Sequence, residues 1–514
     1  MGEVTQNKEG WKGKILSGLF WRFLEQISYQ GIQLIFSLFL LRILDTEEVG
    51  AVSVISIFIT IANTFIQSGF SQALMQKKEI KEEDYSSVFY LTLALSGGIY
   101  LLFYGISPFV AEFYHLPILE SLLRQMSILL FPGAVISIQM AYAGRALQFR
   151  PIFLASFFSS LFSGVLAVFL AYRGYGSFAM AYQQISYYFF TMLILFLCLP
   201  WRPKLLFRLS SLSSLFHFGW KILFSGLLDQ IWQNIYGLVI GKRYKVEELA
   251  LYNRGEMFPK LLSSTLSTMI SGVMFPAFSK LQEEKESLQE MAKKTIRFSA
   301  FLLFPILFGL MAVAKLFIIL LLTKKWIGML PYLRFLSVTY LFLPLHMCNL
   351  QLMNSQGRSD LFLKLEIIKK ILGIGILLLT FPFGIFVMLF GKNVGEVLCL
   401  YLNAKPNEKL IQYGFFSQIN DCLPSFTASL LMGGIVYLTQ EMLEKRGMTE
   451  LWQLIVLIPL GAICYILFSL VYLLFLLLFY LLILLVLDFH LLLFLNIHTY
   501  QLYVVDIILV YQTY

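Results

Sequence analysis

The chain has 514 residues, 58% of them hydrophobic and only 13% charged, with a formal net charge of +9. So little charge cannot cover the surface of a soluble protein of this length. The basic excess is what Lys and Arg in cytoplasmic loops produce, so it does not call for nucleic acid as a partner.

Many apolar runs reach the ~20 residues that a bilayer-spanning helix needs, and none shows the period-two alternation of an outer-membrane barrel. The sequence predicts an all-α polytopic membrane protein. In chain order its spans fall at 17–43, 49–74, 87–111, 123–143, 152–172, 177–199, 215–240, 250–275, 297–322, 331–352, 363–380, 384–403, 421–438 and 452–474. Residues 1–14 are polar and basic and read as a cytoplasmic N-terminus ahead of a first span that is retained. Lys77 and Lys81, Arg145 and Arg150, Arg202, Lys204 and Arg208, and Lys280 to Lys294 then recur on the N-terminal side of the membrane. That pattern places both termini in the cytoplasm. Lys242-Arg243, Lys324-Lys325 and Lys445-Arg446 break it. Gly174-Tyr175-Gly176 reads as a tight turn between spans. Lys280 to Thr295 reads as a helical cytoplasmic connector. After Leu470 the chain lacks Gly, Ala, Pro, Lys and Arg. Residues 475–514 therefore form an atypical hydrophobic tail: an extra lipid-facing helix, or sequence outside the working fold.

Two stretches repeat at an offset of 200 residues. Ser53, Ser56, Thr60, Asn63, Thr64, Gln67 and Ser71 return as Asn253, Glu256, Lys260, Ser263, Ser264, Ser267 and Ser271. Steps of three and four put each set on one helical face. Before them, Gln30 and Gln33 match Gln230 and Gln233, and Glu47-Glu48 matches Glu247-Glu248. The first span carries Arg22, Gln26, Gln30, Gln33 and Ser37 on one face. The seventh carries Lys221, Ser225, Asp229, Gln230, Gln233 and Asn234. Polar groups at membrane depth are costly unless satisfied, so aligned, repeated polar faces predict a hydrated cavity between two halves, as in a transporter.

Arg22 and Lys221 lie near the cytoplasmic end, where snorkelling competes with a functional role. Glu25 and Asp229 sit deeper. Arg254, Glu256 and Lys260 fall in the outer half of the eighth span, with Glu256 and Lys260 spaced for an ion pair and Pro259 placed to kink the helix. Cationic groups in a wet cavity suit a phosphate-bearing substrate, and an acid there suits a coupling ion. His115, His217 and His346 read as ordinary loop or helix-end residues. Cys198, Cys348, Cys399, Cys422 and Cys464 are scattered through apolar runs, without metal-ligand spacing. No P-loop, dinucleotide fingerprint, HExxH or GxSxG is present, so neither an enzyme nor a cofactor or metal is expected.

Several stretches resemble a known family: AGRALQFRP (143–151), AYRGYGSFAMAYQQ (171–184), PWRPK (200–204), LYNRGEMFPKLLSS (251–264), VMFPAFSKLQ (273–282), RFLSVTYLFLPLH (334–346), NSQGRSDLFLKLEIIKK (354–370) and QYGFFSQINDCLP (412–424). In order and spacing they resemble the Wzx-type polysaccharide flippases of the multidrug/oligosaccharidyl-lipid/polysaccharide exporter superfamily, over residues 10 to 470. The resemblance implies two six-helix bundles related by pseudo-twofold symmetry, 15–205 and 206–410, with two further helices in 411–474. It implies export of an undecaprenyl-diphosphate-linked oligosaccharide across the bacterial plasma membrane by alternating access. The expected diphosphate ligands are Arg22, Lys221, Arg254 and Lys260. Gln26, Gln30, Gln33, Asn63, Gln67, Gln230, Gln233 and Asn234 would line the sugar cavity, and Glu25, Asp229 or Glu256 would couple H+ or Na+. The lipid bilayer and a polysaccharide polymerase are the remaining expected partners. A lipid II or multidrug exporter of the same superfamily is the alternative reading, and a membrane-embedded glycan polymerase or acyltransferase a more distant one.

Overall fold

The computed structural model describes residues 2–77, 80–472, 474 and 478, with side chains except at 2–16, 19, 68–69, 72, 76, 209–219, 221–222, 272–273, 275–276 and 359. The expectations for Lys221 as a ligand and for the tail 475–514 therefore fall outside what is described, save the backbone at Lys221 and at residue 478. The described chain folds into fourteen helical segments, matching the expected spans one for one. They are α1 (Gly2–Ile43), α2 (Thr46–Gln76), α3 (Glu82–Tyr114), α4 (Ile118–Arg145), α5 (Phe149–Tyr172), α6 (Ser177–Cys198) and α7 (Leu209–Arg243). Then follow α8 (Val246–Lys280), α9 (Lys285–Leu322), α10 (Lys324–Ser355), α11 (Ser359–Thr380), α12 (Ile385–Ile411), α13 (Phe415–Lys445) and α14 (Glu450–Tyr472). Among the described residues ten are long and apolar enough to cross a membrane. Large apolar side chains such as Leu101, Phe109, Leu197, Phe390 and Phe416 are exposed along them. That surface suits lipid and not water, and the chain is a multi-pass membrane protein.

Two helices run beyond the expected spans. The helix of α1 begins at Gly2 and so includes the polar N-terminal segment. No separate connector joins α8 to α9: a turn at 281–284 suffices, and Lys285 already opens α9. Leu288, Ala292 and Ile296 are fully buried at steps of four. The charged stretch is thus one face of an amphipathic helix end.

The chain divides into two compact units. Unit 1 comprises Met1–Pro259, Phe317–Leu336 and Ile374–Gly391; unit 2 comprises Lys260–Leu316, Ser337–Gly373 and the chain from Lys392. The core of unit 1 is built on α2 and α4, where Ile55, Ile59 and Ile66 meet Leu119, Leu122, Leu123 and Met126. α5 turns a face of small residues inward, from Ala155 and Ser156 through Ser163 and Gly164 to Ala171. Such faces let membrane helices approach closely. A Cβ at Gly164 would lie 2.1 Å from the Phe36 ring, so α1 can seat Phe36 only on glycine. In unit 2, Phe426 of α13 stacks edge-on against Phe304 and Phe308 of α9, and Tyr465 of α14 donates to the Phe301 carbonyl at 2.9 Å.

Loop charges have specific work. Lys204 and Arg208, between α6 and α7, pair with Glu82 and Glu83 in the first turn of α3, and their amides donate to Ser86 and Ser87. Gly174 and Gly176 take positive φ in the expected turn. Lys242 and Lys325, two of the cations that broke the loop-charge pattern, are engaged. The Nζ of Lys242 donates to the Phe113 carbonyl at 2.5 Å, at the C-terminus of α3, and lies over the Phe113 ring. Its counterpart 200 residues earlier, Arg42, donates to the carbonyls of Leu320 and Leu321 at 2.6 and 2.8 Å, at the C-terminus of α9. Lys325 lies 3.6 Å from Asp45. A cation at a helix C-terminus satisfies orphan carbonyls and opposes the helix dipole.

Candidate functional site

The polar faces do not all do the same thing. On α1, Arg22 pairs with Glu25 at 3.0 Å and stacks on Phe149, and Glu25 accepts from Ser156 of α5 at 3.3 Å. Gln26 is exposed, and Gln30 and Gln33 are half-buried above Ser37. On α2, Ser53, Thr60 and Thr64 donate back to their own helix. Gln184 of α6 donates to Ser56 at 3.2 Å, Asn63 to the Tyr188 hydroxyl at 3.4 Å, and Gln67 to Asn63 at 3.3 Å. Asn63 and Gln67 thus bond sparingly and stay partly accessible, beside Gly133 of α4.

On α7, Asp229 and Gln233 are exposed and Gln230 and Asn234 half-buried, with the Asn234 amide donating to the Gln230 carbonyl at 2.8 Å. On α8, Glu256 accepts from the Tyr252 hydroxyl at 3.4 Å. Lys260, the first residue of unit 2, is exposed. The lower part of that face departs from the expected wet groove. Ser263 and Ser267 are buried, the first donating to the Tyr340 carbonyl at 2.6 Å and the second to Ser263 at 2.7 Å. The Ser263 hydroxyl joins α8 to α10 in a dry contact, while Ser267 bonds back to the backbone of its own helix.

Arg254 differs from every other candidate. Its guanidinium, half-buried in unit 1, reaches α1, where Nη1 lies 3.3 Å from Ser37 Oγ and 3.7 Å from Met257 Sδ. Nε is buried without a partner. Among the described residues no carboxylate pairs with it. Close packing holds it there: a Cβ on Gly255 would lie 2.7 Å from Tyr332 Cβ and 2.9 Å from the Leu333 amide, so α8 rests backbone-first on α10. Phe258 against Phe317 at 4.7 Å anchors the next turn. A guanidinium carries five donors, and one hydroxyl and one thioether leave most of them unused. The arrangement can take an anion with several acceptor oxygens.

An apolar groove of about 730 Å³ also opens in unit 1 beside Phe58, Tyr114, Val239 and Phe381, with Lys242 and Arg243 at its rim. None of the polar-face residues lines it.

Sequence reasoning missed one cluster in unit 2. His346 is buried and engaged with Asn403 and Glu396, against the reading of it as an ordinary helix-end residue. Charges interrupting apolar runs, at Glu366 to Lys370 and Lys392 to Glu396, are the signal that could have found it.

Comparison with known proteins fits this geometry. The model of a family described as polysaccharide biosynthesis protein matches residues 39–331, more than half of the chain. The chain belongs to this family. It is 26% identical over 357 residues to the teichuronic acid biosynthesis protein TuaB of Bacillus subtilis, covering 68% of this chain and 72% of TuaB. To the lipopolysaccharide biosynthesis protein WzxC of Escherichia coli it is 24% identical over 366 residues, covering 70% and 73%. The fold is that of the lipid II flippase MurJ in an inward closed conformation. The TM-score is 0.68 at 16% identity, over 88% of this chain and 98% of MurJ. A multidrug transporter of the MATE family, inward-facing, shares it at a TM-score of 0.55 and 14% identity, over 75% and 99%. These relatives are biosynthesis proteins and transporters, and none is named for a covalent reaction.

Proposed function

We propose that this member of the polysaccharide biosynthesis family flips lipid-linked oligosaccharide units across the bacterial plasma membrane by alternating access. The observation that supports the reading is Arg254: a half-buried cation, packed in place, with a buried, unpartnered Nε and no carboxylate pairing with it among the described residues. A cation left in that state costs free energy unless an anion arrives. A diphosphate offers the bidentate oxygens that a guanidinium matches. It would disfavour a cationic drug by the same charge. Arg22 and Lys260 are the further cations proposed to escort the phosphates, with Lys221 as the repeat partner of the first. Gln26, Gln30, Gln33, Asn63, Gln67, Gln230, Gln233 and Asn234 supply amides for sugar hydroxyls. The bundles 15–205 and 206–410 are the proposed moving parts, with the N-terminus in the cytoplasm. Export is proposed to be coupled to H+ or Na+, and a polysaccharide polymerase to receive the product. Glu25, held by Arg22 and Ser156, Asp229 and Glu256 are the proposed coupling groups in unit 1.

Reconstitution tests the whole reading. Protein in liposomes, given a labelled lipid-linked glycan in one leaflet, should deliver it unchanged to the other. Covalently altered product would identify an enzyme instead. Transfer of a lipid II glycan in preference to polysaccharide repeat units would favour the lipid II reading.

A further inference from the structure

Unit 2 contains a second intramembrane polar cluster. His346 of α10 presents Nδ1 to the Asn403 amide nitrogen at 3.0 Å, while Nε2, which makes no hydrogen bond, lies 3.2 Å from Glu396 Oε2; both neighbours are on α12. Behind them, Asn349 and Gln418 exchange two hydrogen bonds of 2.8 Å, and Asn407 donates to Asn349 Oδ1 at 2.7 Å. Asn349, Asn403, Asn407 and Gln418 are fully buried. The side-chain amide oxygens of Asn403 and Asn407 are buried without a hydrogen-bond partner. Charged neighbours surround Glu396: Lys392 one turn earlier on α12, and Lys369 of α11, which is paired with Glu366. Cys399 faces the same carboxylate. From α13 the neighbours are Gln418 and Cys422, while Asp421 turns to Arg297 and Tyr413. At ~1.5 Å per residue Glu396 lies roughly 16 Å along α12, well within a bilayer.

The hydrogen-bond roles are set by chemistry. An amide NH2 only donates, so His346 Nδ1 is the acceptor and the single ring proton sits on Nε2, toward Glu396. A second proton would attach to Nδ1 and face donor against donor. Half a turn of the Asn403 amide removes that conflict, because its unpartnered Oδ1 then accepts from Nδ1–H. The acceptor for an added proton is therefore in place, and Glu396 is positioned to oppose the new charge.

We propose that His346, Glu396 and Asn403 form a proton-binding site that couples export to proton uptake. The proposal rests on the transport reading above. In the step, one proton from water adds to the Nδ1 lone pair, the imidazole becomes imidazolium, and no bond between heavy atoms changes. The formal charges of Glu366, Lys369, Lys392 and Glu396 cancel, so binding takes the cluster from neutral to singly positive. In a low-dielectric interior such a charge biases the packing of α10 against α12.

The test uses the full chain in detergent with 15N-labelled histidines, His346→Gln assigning the resonance. On acidification the His346 ring nitrogens should pass from the Nε2-protonated to the doubly protonated pattern. Glu396→Gln should weaken proton binding at least ~tenfold, by removal of the opposing charge. Asn403→Asp, which presents an acceptor without rotation, should strengthen it, a sign that misfolding would not give. A ring that keeps one protonation state throughout, or a midpoint that follows Na+ at fixed pH, overturns the proton site. In cells lacking their own copy, His346→Gln should lower glycan export at least ~fivefold. Normal titration with undiminished export by that variant would overturn the coupling role, while Arg254→Ala tests the flippase reading separately.

Discussion

Arg254 in unit 1, half-buried, and Asn349 in unit 2, fully buried, are both polar groups inside a membrane protein, yet their surroundings are opposite. Asn349 exchanges bonds with Gln418 and receives one from Asn407, so both ends of its side-chain amide are used. Arg254 has one hydroxyl, one thioether and an unpartnered Nε. A satisfied amide stiffens a fold, and an unsatisfied cation favours an incoming anion. The difference teaches where to look for substrate: at the group whose bonding is incomplete.

Substitutions can break this comparison. The largest effect is expected at Arg254. Arg254→Ala should reduce glycan export at least ~100-fold while the protein still folds, since no internal ion pair is lost. Arg254→Lys should recover part of the activity, because a point charge replaces a bidentate fork. Unfolding of Arg254→Ala would show the guanidinium to be structural. Asn349→Leu should do the reverse: stranding Gln418 and Asn407 should cost about 2–4 kcal/mol, read as a lower thermal midpoint in detergent. Export per folded molecule should hold.

Next comes Gly255→Val. Its side chain must displace Tyr332 or the Leu333 backbone, which shifts Arg254 from Ser37. A fall of roughly tenfold in export, with KM for the lipid-linked glycan rising more than kcat falls, would tie the packing to binding. Lys242→Ala and Arg42→Ala should each cost only about 1 kcal/mol, the worth of a cation at a helix end. Equal losses at the two positions would show that the repeat preserves the role and not the residue.

The smallest effect is expected at Arg358. Its guanidinium, hydrogen-bonded to Asp360, holds that exposed carboxyl below the usual range. A depressed carboxyl stabilises the fold above its unfolded titration range and loses that contribution as pH falls. Water screens this pair, so Arg358→Ala should raise the Asp360 titration seen by NMR and leave thermal stability unchanged.

Much of the site was legible from periodicity. Steps of three and four placed Ser37, Asn63 and Lys260 on polar faces, and the 200-residue offset paired Gln30 with Gln230. The same periodicity could not separate Ser263, which serves a backbone carbonyl on α10, from Asn63, which stays partly accessible. It also passed over His346, since an isolated histidine acquires meaning only from Asn403 and Glu396, distant in sequence and close in space.

By itself the amino-acid sequence determined the solvent of this protein, the number of its helices and the internal repeat. Hydropathy and residue spacing are local properties that no distant contact can revise. Tertiary structure alone decided which polar groups are spent on the fold and which stand ready for a ligand. Hydrogen-bond satisfaction belongs to pairs of groups, and the pairs are made by packing.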